Sequence, residues 1–268
     1  IVSGAMAISS ADTAVGAAVV INDINNEFDA KIENSTISAE AINTRSYAQT
    51  FLVSAAGGIA VSTDNGAGGG SVIWNEIDNQ VKSGALKSTL NSNSVKFQAE
   101  NASRLIAVAG QISAGAGNAA VGMALSYNDI VNTTDAYSFA SIITGQDTAD
   151  SQLLVEADNS VEVLDIAASI AASEKVGIGG SVAINKIAND TRALVDKSFV
   201  DENEVTQTNA GAALTGFKTL RVKAEDNSEL KSLAGTVAGG GDAGIGGSVA
   251  YNEISGTTGA AIDNITLN

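Results

Sequence analysis

Apolar and polar residues alternate with a period of two along most of this chain, the signature of strands with one face turned to a core. The stretch "SVAINKI" (181–187) shows the pattern and its one irregularity. Val182 and Ile184 share a face, whereas Ile187 falls on the opposite one if the strand runs straight. The pattern therefore predicts a turn at Asn185 that resets the parity, with the charged residue after it pointing to water. Asparagine suits such a corner because it tolerates left-handed backbone and bonds its own neighbours. On the same parity Trp74, Tyr127 and Tyr251, each directly before an asparagine, are core-facing together with Ile21 and Ile184. An outward aromatic stripe able to stack on sugar rings is the competing reading.

The phrase recurs. Taking its asparagine as anchor places it at Asn22, Asn75, Asn128, Asn185 and Asn252, in steps of 53, 53, 57 and 67 residues. Two residues after each anchor stands isoleucine (Ile24, Ile77, Ile130, Ile187, Ile254), and six before each stands glycine (Gly16, Gly69, Gly122, Gly179, Gly246). An aliphatic residue precedes each anchor by three, Ala or Ser by four, and a charged residue follows it. A second phrase, apolar-x-apolar-x-Ala-x-Asn/Asp, recurs as "ISAEAIN" (37–43), "VKFQAEN" (95–101), "LLVEADN" (153–159) and "LRVKAED" (220–226). From each anchor to the next of these alanines the distance grows through 19, 24, 29 and 39 residues, so insertions gather on one side of the repeat, as surface loops do on a solenoid.

Repeats with no apolar face of their own to bury, and with Gly and Asn at their turns, describe a β-solenoid whose coils pair along the axis. Stacked asparagines would ladder their side-chain amides in the same direction. The glycine six before the anchor fits a corner with positive φ, or a close backbone approach. A repeat of 53–67 residues is expected to span two or three coils.

Composition supports a narrow core. The 268 residues are rich in small side chains, aromatics are 4%, and there is no Pro, Cys or His. No linker divides the chain, so 1–268 reads as one solenoid segment; it begins inside a repeat, as a piece of something longer would. A formal charge of −16 repels phosphate-rich partners and argues against nucleic acid. No apolar run reaches the length of a membrane span, so this segment is not expected to insert in a membrane. Without Cys there is no disulfide framework and no thiolate metal site.

Candidate chemistry is sparse. The glycine clusters lack GxxxxGK[ST] and a following helix, so they read as structural. "GGGDAG" (239–244) lacks the nonapeptide period of calcium-binding repeats. Catalysis without His or Cys would fall to carboxylate pairs, and Asp147/Asp150 or Asp158/Asp165 stand out only by abundance. The chain is therefore read as no enzyme, with no catalytic, cofactor or metal residues. Five Asn-x-Ser/Thr sequons, at Asn34, Asn101, Asn132, Asn189 and Asn264, are accounted for mostly by chance and turn chemistry in a chain so rich in these residues.

"GIGGSVAINKIANDTRALV" (177–195) and "LRVKAEDNSELKSLAGTVAGGG" (220–241) resemble the repeats of very large filamentous bacterial adhesins, closest to the leukotoxin-type members of the wider filamentous-haemagglutinin class. The resemblance implies a right-handed parallel β-helix, exported by a type V-like route and displayed as a fibre at the cell surface or released outside the cell. It implies a stalk with adhesive loops, here chiefly 197–217, whose partners would be host or surface glycans and proteins beside neighbouring repeats of the same chain. It carries no catalytic residues. A scaffold within a secreted cytolysin or carbohydrate-acting exoprotein is the alternative.

Overall fold

A computed structural model describes residues 1–200 and 203–267. Its thirteen strands are β1 (Val2–Glu33), β2 (Thr36–Leu86), β3 (Thr89–Gly115), β4 (Ala119–Phe139), β5 (Ile142–Thr144), β6 (Gln152–Ser173), β7 (Val176–Asp196), β8 (Ser198–Val200), β9 (Thr206–Thr208), β10 (Ala213–Thr215), β11 (Thr219–Gly240), β12 (Ala243–Asp263) and β13 (Thr266–Leu267). All but the β8–β9 hairpin pair in parallel, each strand with its equivalent one repeat away. The all-β solenoid expected from the repeats is present.

One repeat makes one coil, not two or three. Asn22 pairs directly with Asn75, Asn75 with Asn128, Asn128 with Asn185 and Asn185 with Asn252. A single coil accommodates so many residues because its strands are long: β6 and β7, with 22 and 21 residues, each extend about 70 Å at ~3.3 Å per residue. The coil is thus flattened into two sheets packed face to face. Sheet I holds the first ten or so residues of β1, β2 from Thr36 to Ser62, β3, β6 and β11. Sheet II holds the rest of β1, β2 from Gly66 onward, β4, β7 and β12.

Sheet I passes into sheet II through a tight turn: Asp12 in the first coil, 63–65 and 116–118 in the next two, 174–175 and 241–242 in the last two. At the other edge, sheet II ends in a corner where Asn34, Lys87, Ala140 and Asn264 adopt φ near +50°. This corner lies twelve residues beyond the anchors Asn22, Asn75, Asn128 and Asn252. Ser88 Oγ accepts from the Ser35 amide and Ser141 Oγ from the Ser88 amide, both at 3.2 Å, so the serines after it stitch the corners together.

The parity reset expected at the anchors does not occur. Burial alternates without a break through β7, and the buried set is Ser181, Ala183, Asn185, Ile187, Asn189, Thr191. Asparagine and the isoleucine two residues on are therefore both inside, while Val182 and Ile184 are outside. A straight strand is possible because the buried asparagine finds its hydrogen bonds in the neighbouring coils. Asn22 donates to Asn75 at 2.7 Å, Asn75 to Asn128 at 2.7 Å, Asn128 to Asn185 at 2.7 Å and Asn185 to Asn252 at 3.0 Å. A second ladder, four residues on, runs through Asn26, Asn79, Asn132 and Asn189 at 2.9, 3.1 and 2.9 Å.

The interior tapers. At the corner edge it is filled by Val81, Leu90, Val95, Phe97, Ile143 and Leu153. In the middle Ile24, Ile77, Ile130 and Ile187 meet Leu52, Leu105 and Val163. Toward the tight turn small residues dominate, alanine, glycine and serine, with Gln111 lying over Gly58 and Gly69, and Ala14, Ala60 and Ala67 stand at the end. The glycine six before each anchor belongs to this thin edge and is no corner: a Cβ on Gly122 would stand 3.0 Å from the Ile170 carbonyl oxygen of sheet I. Close approach, not positive φ, is what those glycines serve; Gly216 is the one described glycine with positive φ.

Asn128→Ala is expected to strand the Asn75 donor and the Asn185 acceptor inside the core and to cost about 2–4 kcal/mol, measured by urea unfolding, with Asn22→Ala in the outer coil costing less. Gly177→Ala, whose methyl would overlap the carbonyl oxygens of Ala171 and Gly239, is expected to cost about 1–3 kcal/mol, whereas Gly110→Ala, with open space at its Cβ, leaves the unfolding midpoint within error.

Candidate interaction surface

Strand alternation decides which side chains a ligand can reach. The aromatic residues before the anchors point outward, contrary to the core position expected from parity. Trp74 is 43% exposed and stacks on Tyr127 with ring centroids 4.2 Å apart. Tyr251, 50% exposed, is in line with them two coils on. Lys186 Nζ lies 6.0 Å from the Tyr127 ring centre, and Tyr127 donates to Asp129 at 3.1 Å. Burial and the acceptor Asp129 together hold the Tyr127 hydroxyl above the usual phenol range.

The carboxylate pairs are not brought together. Asp147 is bound by Lys218, whose ammonium lowers its pKa, and Asp150 lies exposed in the same loop. Asp158 points outward from β6, while Asp165, an odd number of residues on, points into the core. Among the described residues no three acidic side chains gather as a metal site. Asn101, Asn132 and Asn189 of the sequons are buried in amide ladders, and only Asn34 and Asn264 are exposed, at the corner.

Asp165 is a buried charge within an otherwise neutral column. It pairs with Ala107 on one side and Ser232 on the other, and Ala107 in turn pairs with Ser54. Asn185 donates to its Oδ2 at 3.0 Å, while Oδ1 has no partner. Burial raises its pKa; hydrogen bonds from Ser126, Asn185 and Asn128 offset part of that.

The loop at 197–217 carries the largest insertion and sits at the corner edge. Its β8–β9 hairpin places Phe199 with the Lys87 ammonium 4.6 Å from its ring centre, and Asn209 donates to the Ala140 carbonyl at 2.8 Å. Of the loop expected to be adhesive, residues 201 and 202 lie outside the described residues.

The outer faces of the two sheets differ in a way the repeat phrases do not reveal. On sheet I the outward charges nearly balance, six basic against seven acidic, and several pair across coils: Arg45 with Glu100 at 2.7 Å, Arg104 with Glu162 and Arg221 with Glu156 at 3.2 Å. On sheet II twelve acidic residues face outward against four basic ones. Beside the nearly balanced half of sheet I lies a charge-free half with an apolar groove of about 360 Å³, floored by Gly57, Gly110 and Ala168. No family model, curated protein or solved structure matches this chain.

Asp165→Asn should stabilise the protein at neutral pH. Because the folded-state pKa is raised, the stability linked to protonated Asp165 is full below the ordinary carboxylate pKa and is lost as pH rises through the raised value. Urea midpoints across pH 3 to 8 (about the range of carboxylate titration) should therefore diverge upward in favour of the variant as pH rises.

Proposed function

We propose that this chain is a load-bearing segment of a bacterial filamentous adhesin, held at the cell surface or released outside the cell, with its adhesive contacts on the corner-edge loops. The observation that carries this reading is the uniform coil: five repeats stack in register with the same buried ladder, so length can grow by adding coils without a new core. Variation is confined to one edge. Between the two sheets the turn changes by one or two residues only, whereas the corner edge takes up the insertion that forms β8 and β9. Such an edge can diversify for glycans or proteins while the stalk stays constant. The exposed Trp74–Tyr127 stack, on the outer face of sheet II and away from that edge, offers a separate platform for a sugar ring.

The test uses the producing bacteria and the purified chain. Protease applied to intact cells is expected to remove the segment, and the purified chain is expected to bind host epithelial cells, with binding falling at least threefold when 198–208 is replaced by a Gly-Ser link. A segment that resists protease until the cells are lysed, or binding that does not exceed that of an unrelated acidic protein, overturns the reading.

A further inference from the structure

We infer that the charge-free half of sheet I is a pairing surface for a second copy of this chain, the two solenoids lying side by side and running in the same direction. The inference is independent of the adhesin reading and rests on three observations: the relief of this face, its charge and its area.

The relief comes from the register. Outward positions on sheet I align in columns along the solenoid axis. One column, Ile8, Ile59, Ile112, Ile170 and Val237, forms a ridge, with Ile112 and Ile170 each 43% exposed. The column beside it, Gly57, Gly110, Ala168 and Gly235, forms a groove closed at the first coil by Met6. On the groove's far side stand Val108, Ile166 and Leu233. A two-fold axis parallel to the solenoid axis, set midway between ridge and groove, lays the ridge of each copy in the groove of the other. A two-fold along the strands instead puts groove against groove. Relief therefore selects the parallel pair.

Charge selects the face. From the Ala55 column to the tight turn, no outward residue of sheet I is charged in any coil, and Ser10 alone is polar. The remaining half of the sheet carries its nearly balanced charges, so two copies meeting here do not repel across the interface as two strongly acidic sheet II faces would. The tight turns bordering this surface carry Asp12, Asp64, Glu174 and Asp242, which disfavour burial of that edge in a lipid bilayer.

Area sets the strength. Four columns about 6.6 Å apart across five coils about 4.8 Å apart give a face of about 600 Å² per copy. This is somewhat below the roughly 800 Å² per partner of a standard stable interface, so the five-coil chain should dimerise weakly. Each further coil adds about 120 Å², and two long fibres would hold together over their whole length.

Sedimentation velocity over a concentration series is the test, with unfolding midpoints measured alongside. The wild-type chain is expected to show a monomer–dimer equilibrium. Ile112→Glu, at an exposed position, should abolish the dimer and leave the fold intact. Gly110→Val is the discriminating variant: its Cβ meets nothing within 4 Å, so the fold is retained and the surface becomes more apolar, yet the groove is filled. Ridge-in-groove pairing predicts that Gly110→Val weakens the dimer at least about tenfold, or by about 1.4 kcal/mol. Since the chain has no cysteine, mixing Gly110→Cys and Ile112→Cys chains should give a disulfide-linked heterodimer that neither variant forms alone to the same extent. A monomer at every concentration, tighter association of Gly110→Val, or binding of the monomer to phosphatidylcholine vesicles that Ile112→Glu removes, each overturns the inference; the last would make lipid the occupant.

Discussion

Buried amides that bond their counterparts in the next coil impose the register on which the rest of this structure depends. The oxygen and nitrogen of Asn128 lie in a core with 1% exposure, and Asn75 and Asn185 are the neighbours that saturate them along the axis. A slip of one residue would turn every anchor asparagine outward and drive Trp74, Tyr127 and Ile184 into the space between the sheets. A slip of two would set Asn75 against Ser126 or Ile130, trading each amide-to-amide bond for a hydroxyl or for an apolar side chain and leaving amide groups unpaired. Apolar columns alone tolerate such slips, since Val and Ile pack acceptably against one another. The ladders are therefore the element that makes a repetitive, alanine-rich sequence choose one alignment.

The same register creates the taper. In-line columns mean that a small residue in one coil is followed by small residues in the others, so the sheets close down together wherever glycine and alanine recur. Near the tight turn the gap is thin: a Cβ at the Gly122 position would press on the Ile170 carbonyl, and the one long side chain inside, Gln111, fits only where Gly58 and Gly69 face it. Apolar β-branched residues still favour the strand conformation there and occupy the only side with room, the outside. The exposed ridges of sheet I and the exposed Val and Ile positions of sheet II follow from an interior that has little space for them.

Much of this was legible in the sequence, and the errors have a common cause. Repeat spacing and period-two alternation identify a parallel solenoid and set the anchors one above another. Parity misleads because the apolar residues Ile184 and Ile187 both suit a core and leave asparagine as a turn. A polar residue in line with its own copies is as much a core residue as isoleucine, but one copy of the strand cannot reveal that; the partner amide lies 53 or more residues away. The second phrase was also misaligned in its first copy: Ala41 pairs with Ser94, and Ser46 is the true counterpart of Ala99. Glycine spacing alone did not distinguish a corner from a close approach, since both require the missing Cβ. Left-handed backbone in fact falls at Lys87 and Ala140, residue types that give no signal for it.

Corrected alignment sharpens where function can reside. Measured from Ser46, Ala99, Ala157 and Ala224, the path through the tight turn to the following anchor is 29, 29, 28 and 28 residues, while the path from the preceding anchor around the corner is 24, 24, 29 and 39. The thin edge cannot accept insertions, because its two sheets touch and its outer faces continue from coil to coil as ridge and groove. The corner edge can, because its left-handed residue already ends the pairing of sheet II and frees the chain to wander before it rejoins sheet I. The two edges are thus under opposite constraints: one must stay uniform to keep its surface continuous, and the other is free to vary for contacts particular to each coil.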